Sequence, residues 1–153
     1  MHLLRYSRAF PLQLGAALVL LGVVPASLAA LGGDVSALAS EQSVFGATFV
    51  ATRSNQFSVH SLTTPAGVHI RQYAGTSGQV FAVAWDGPVL PDLETLLGSS
   101  YAAYAEAQRQ RGRGVRIQTP RLVVESAGMM RAFFGKALLP ERLPQNVSAR
   151  DLQ

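Results

Sequence analysis

The sequence predicts an α+β domain: a mostly antiparallel β-sheet of about six to seven strands with one main helix packed on it, preceded by a signal peptide. Three observations carry that reading. Apolar residues alternate with a period of two from Ser43 onward, and a single stretch beginning at Leu93 changes to steps of three and four. Proline and glycine clusters separate the alternating segments at short intervals.

The first thirty residues stand apart from the rest. Arg5 and Arg8 supply a basic start, Leu12 to Val24 is apolar apart from Gln13, and Pro25 precedes the small residues Ala26-Ser27-Leu28-Ala29-Ala30. Export machinery reads that order as a cleavable secretory signal, cut after Ala29 or Ala30. A membrane-spanning helix wants about 20 apolar residues, more than this run offers. Residues 31–153 then form one domain, long enough for a real core and too short for two. Losing Arg5 and Arg8 leaves 11 basic residues against 9 acidic ones, a bias too small to indicate nucleic acid as a partner. The chain has no cysteine, which excludes disulfide staples, a thiol nucleophile and thiolate metal sites.

Residues 31–42 read as a loose arm or short helix. The first strand carries Phe45, Ala47, Phe49 and Ala51 on one side and ends at Arg53-Ser54-Asn55; the second covers Gln56 to Thr63. Thr64-Pro65-Ala66-Gly67 is a hairpin turn signal before the strand Val68 to Tyr73. With Thr63 set opposite Val68, His60 faces Arg71 and Leu62 faces His69. Gln79 to Trp85 is apolar on both alternating sides, as a central strand requires. Asp92 caps the helix, Leu93, Leu96, Leu97, Tyr101 and Tyr104 form its buried stripe, Gly98 is a place for a bend, and Gly112 ends it. Val115 to Thr119, Arg121 to Ser126 and Met129 to Leu138 complete the sheet, with the last two joined near Ala127-Gly128.

The candidate ligand-binding residues are His60, His69, Arg71, Tyr73, Trp85 and Asp86. The register above puts both histidines on one face, about 7–8 Å apart along a diagonal, together with Arg71 and Tyr73. Two histidines without a fitting carboxylate are too few for a metal, so no metal and no cofactor is expected. Asp86 is expected to accept hydrogen bonds from the amides of its own turn, and Trp85 to be packed on one side and wet on the other. Arg109, Arg111, Arg113 and Arg116 read first as a solvated charged loop at a helix end, and as a second alternative as a contact for an envelope protein, an anionic lipid or a polysaccharide outside the cytoplasm. Arg131 lies among apolar residues and is either an outward-facing strand residue or a buried charge with Glu125 as its candidate partner, while Met129 and Met130 are expected to pack in the core or along an edge. Serine-hydrolase elbows, phosphate-binding glycine loops and paired catalytic carboxylates do not occur as patterns.

Gly78-Gln-Val-Phe-Ala-Val-Ala-Trp-Asp-Gly-Pro-Val-Leu-Pro-Asp-Leu, followed by Leu96-Leu97-Gly98 and Tyr101, resembles an uncharacterised family of exported proteobacterial proteins, domain of unknown function twenty-eight forty-four. The run Leu122 to Pro140, Leu143-Pro144 and the early Ala30-Leu-Gly-Gly are similar to it as well, so the likeness spans nearly all of the mature chain. The resemblance implies export to the periplasm or the outside of a Gram-negative cell, and it implies no catalytic residue. The first expectation is therefore a non-catalytic cell-envelope binding or structural domain. Two alternatives stand beside it: a small-ligand carrier with its site between sheet and helix near Trp85, and a hydrolase with His60 or His69 as base.

Overall fold

The computed structural model describes residues 31–37, 48–112, 114–150 and 152. The signal segment, Phe45, Ala47 and Arg113 lie outside the described residues. Seven antiparallel strands form one sheet: β1 (Thr48–Arg53), β2 (Phe57–Thr63), β3 (His69–Gly75), β4 (Val80–Gly87), β5 (Val115–Gln118), β6 (Val123–Met129) and β7 (Ala132–Leu138). Their spatial order is β1-β2-β3-β4-β7-β6-β5, which makes β4 the middle strand and explains why it is apolar on both sides.

One face carries the helical layer. Asp92 caps α1 (Leu93–Leu97), with Oδ1 accepting the Thr95 amide at 3.1 Å and Oδ2 accepting the Thr95 hydroxyl at 2.7 Å. Gly98, at φ +53°, interrupts the stripe with a 3₁₀ turn (Gly98–Ser100), and α2 (Tyr101–Arg111) continues it. The helix expected from the sequence is thus present in two pieces with the bend at Gly98. Leu93, Leu96, Leu97 and Tyr104 are buried against Ile70, Val83, Trp85, Val115 and Val124 of the sheet.

The opposite face is half covered by the C-terminal segment. A 3₁₀ turn (Pro140–Arg142) leads Leu143, Val147, Ala149 and Leu152 across Tyr73, Phe81, Ala82 and Leu138. A bulge at Phe81 of β4, opposite the step from Tyr73 to Ala74, lets Phe81 and Ala82 both turn to this side, where Phe81 meets Phe57 edge-on at 6.2 Å.

Two turns differ from the sequence reading. Between β2 and β3 the loop is Pro65-Ala66-Gly67, closed by Thr64–Val68 bonds, with Gly67 at φ +78°. A three-residue loop with a left-handed third residue sets Thr63 opposite His69, one step away from the expected pairing. Between β6 and β7 the turn is Met130-Arg131, with Met129 opposite Ala132, and Gly128 lies inside β6. Gly128 is there to make room: a Cβ would stand 2.5 Å from the Phe133 ring.

The Asp92 cap makes a measurable contribution. Asp92→Ala is expected to lower stability by about 1 kcal/mol in urea unfolding at neutral pH. Hydrogen bonds from the Thr95 side chain, then from its backbone, hold the Asp92 carboxyl below its ordinary value of 3.8. A carboxyl with a depressed folded pKa stabilises the fold above its unfolded pKa and stops doing so as pH falls through the folded value. The gap between wild type and variant therefore closes in acid, below the ordinary carboxylate range.

Candidate functional site

The one-step register change decides which candidate residues meet. A shift by one residue turns every side chain of a strand to the other face. His69, Arg71 and Tyr73 share the face crossed by the C-terminal segment, whereas His60 pairs with Gln72 on the helix side. The two histidines are thus on opposite faces, contrary to the sequence reading. Each has a hydroxyl neighbour: Ser58 Oγ lies 2.8 Å from His60 Nε2, and Thr63 Oγ1 lies 3.0 Å from His69 Nδ1. Among the described residues no group of three or more histidine, aspartate or glutamate side chains gathers as metal ligands would.

Trp85 and Asp86 also part company. The indole is 1% exposed and lies in the helix-side core, flat against Gly135 of β7. That core is filled by Val83, Leu97, Tyr104 and Val124 around the indole, and Trp85 also borders the cleft on the opposite face. Asp86, one residue later, faces the other way. Its carboxylate accepts the Arg71 guanidinium at 2.9 Å, where the sequence reading expected amides of its own turn.

Across that second face runs a row set by the strand pairings: Ser61, Arg71, Ala84, Lys136, Glu125 and Arg116 are consecutive cross-strand neighbours. The next row toward the loop end is Thr63, His69, Asp86, Phe134 and Ala127. Ala84 is the small member between long cations, and neighbouring strands lie ~4.8 Å apart, so Arg71 and Lys136 stand about 10 Å apart across it. The result is a cleft of about 580 Å³ with Ala84 in its floor and Leu152 at its margin.

The cleft is charged and has one apolar wall. Arg116 lies 3.5 Å from Glu125, and Lys136 donates to the Ala149 carbonyl at 3.2 Å, which ties the cleft to the C-terminal segment. Phe134 is 53% exposed beside Asp86. Glu125 thus pairs with Arg116 and not with Arg131, which sits exposed in the β6–β7 turn. Of the basic segment, Arg109 pairs with Glu106 at 2.8 Å, and Arg111 donates to the Arg116 carbonyl at 3.4 Å.

Of the residues singled out in the sequence, Arg71, Trp85, Asp86, Arg111 and Arg116 border this cleft, while Ala84, Phe134 and Lys136 were not among them. Alternation along β7 does put Phe134 and Lys136 on one face, but only the pairing of β7 with β4 brings them beside Asp86 and Ala84. That pairing skips two strands and leaves no local signature.

No curated protein and no solved structure matches the chain. A family described as Protein of unknown function (DUF2844) matches residues 27–152, which takes in the sheet, the helical layer and the C-terminal segment under which the cleft opens. The chain belongs to that family.

Proposed function

We propose that this chain is an exported, non-catalytic binding domain of the cell envelope, and that its cleft holds an acidic saccharide. The observation that carries the reading is the pair Arg71 and Lys136 spaced across Ala84, with the exposed ring of Phe134 beside them. A carboxylate or sulfate over Ala84 would meet a guanidinium on one side and an ammonium on the other. The apolar face of a sugar ring would cover Phe134 and take that surface out of water. Asp86 and Glu125 would accept bonds from sugar hydroxyls at either side of the anion. Export rests on the order of residues 1–30, which is that of a secretory signal. Among the described residues no helix is long and apolar enough to cross a membrane.

Titration of the protein with oligogalacturonate, followed by NMR, tests the reading. Shifts are expected at Arg71, Ala84, Phe134 and Lys136, with an uncharged oligosaccharide of equal length causing none. Lys136→Glu should weaken binding by more than about tenfold, a loss of more than about 1.4 kcal/mol. Equal binding of the charged and uncharged sugars, or binding indifferent to Lys136→Glu, would reject it.

A further inference from the structure

The loop end of the molecule carries a feature that the cleft does not use. Met130 is 94% exposed and Met129 is 72% exposed, although the sequence reading expected both to be packed. Val89 and Leu90, in the loop between β4 and α1, are 46% and 41% exposed. Leu90, Met129 and Met130 border one groove of about 430 Å³, with Tyr104 and Phe133 deeper in it. Apolar groups this exposed, gathered on two loops, mark a contact surface.

We infer that this end docks on a bilayer surface bearing anionic headgroups; of the residues the inference uses, Arg111 also borders the cleft. The turn that projects the methionines is a two-residue hairpin turn, a place that ordinarily holds glycine, asparagine or aspartate. Here Arg131 occupies the left-handed conformation at φ +63°, so a strained residue keeps Met130 at the tip and a cation beside it. Across the groove, Gly112 follows the last turn of α2, which carries Arg111. Glu106 and Glu125 are matched to Arg109 and Arg116, and Arg111 and Arg131 form no ion pair among the described residues. Asp92, two residues past Leu90, has its carboxylate engaged by the Thr95 amide and hydroxyl.

The shape favours lipid over a protein partner. Four side chains on two projecting loops fall short of the ~800 Å² per partner that a stable protein interface buries. A headgroup layer accommodates projecting, flexible methionines, and arginines beside them reach phosphates while their stems stay in the apolar boundary.

The absence of cysteine from the chain gives a position-specific test. Met130→Cys, labelled with an environment-sensitive dye, should shift to the blue on phosphatidylglycerol vesicles and respond at least tenfold more weakly to phosphatidylcholine vesicles. The same dye on Thr76→Cys, in the β3–β4 turn at the opposite end, should not shift. Arg111→Glu combined with Arg131→Glu should weaken the response at position 130 at least tenfold. No shift at 130, an equal shift at 76, or indifference to the two arginine changes would overturn the inference. So would a blue shift that grows with protein concentration in the absence of vesicles, which would identify a second copy as the occupant.

Discussion

Trp85→Ala should lower the free energy of unfolding by about 3–5 kcal/mol, the cost of emptying a large aromatic site in a core that cannot fully collapse. The indole is 1% exposed and sits where its own strand, β7 beneath it through Gly135, and the helical layer above meet. Its removal takes contacts from both sides of that junction, and β4 with β7 supplies rigid backbone on one of them. Urea unfolding of the variant measures the loss. A cost under about 1 kcal/mol would mean that the indole is not packed there, since even small core deletions reach that size.

The second large effect comes from the smallest residue. Gly135→Ala should cost about 3 kcal/mol, at the upper end of what overpacking does, because the added Cβ would stand 2.3 Å from Trp85 Cζ2 and 2.8 Å from the Glu125 carbonyl oxygen. One obstacle is a side chain and the other is backbone of β6, so the two can be separated. In a Trp85→Ala background the ring clash vanishes and the clash with Glu125 remains. Gly135→Ala should then cost less than in the wild type, and a double-mutant cycle should return a coupling of about 1–3 kcal/mol. Strict additivity would show that the ring does not lie on Gly135.

These two residues also show why parts of the fold were legible in the sequence and others were not. Val80 to Trp85 announces a central strand because burial on both faces leaves no polar alternation, and Asp92 announces a helix start because its carboxylate has an amide to accept. Glycine is harder to interpret. At Gly67 it signals a turn correctly, yet whether that turn has three residues or four depends on which pair of Thr64 and Val68 groups closes it. That single step decides the company His60 keeps. At Gly128 and Gly135 glycine marks no turn: it yields space to Phe133 and Trp85, which lie on other strands or further along the chain. Locally, a glycine beneath a ring and a glycine in a hairpin look alike, so Gly128 marks a turn in the sequence while the chain reverses at Met130-Arg131.

The candidate site divides in the same way. Arg71 was singled out for sharing a strand face with a histidine and Tyr73, and Asp86 for following Trp85 at the end of the most apolar strand. Lys136 and Phe134 were not, because their meaning depends on β7 lying next to β4. No periodicity within a strand specifies its neighbour in the sheet.

That β4–β7 contact also has a meaning in time. Strands β1 to β4 are paired each with the next, and β5 to β7 likewise, so both groups close through short loops. Joining them requires β4 to meet a strand about fifty residues later, after the helical layer has passed over the sheet. Contacts of large sequence separation bear their loop-closure entropy before they stabilise anything. The two halves can therefore assemble early and independently, and the step that unites them is the one that creates the floor between Arg71 and Lys136. The cleft comes into being only when the whole domain does.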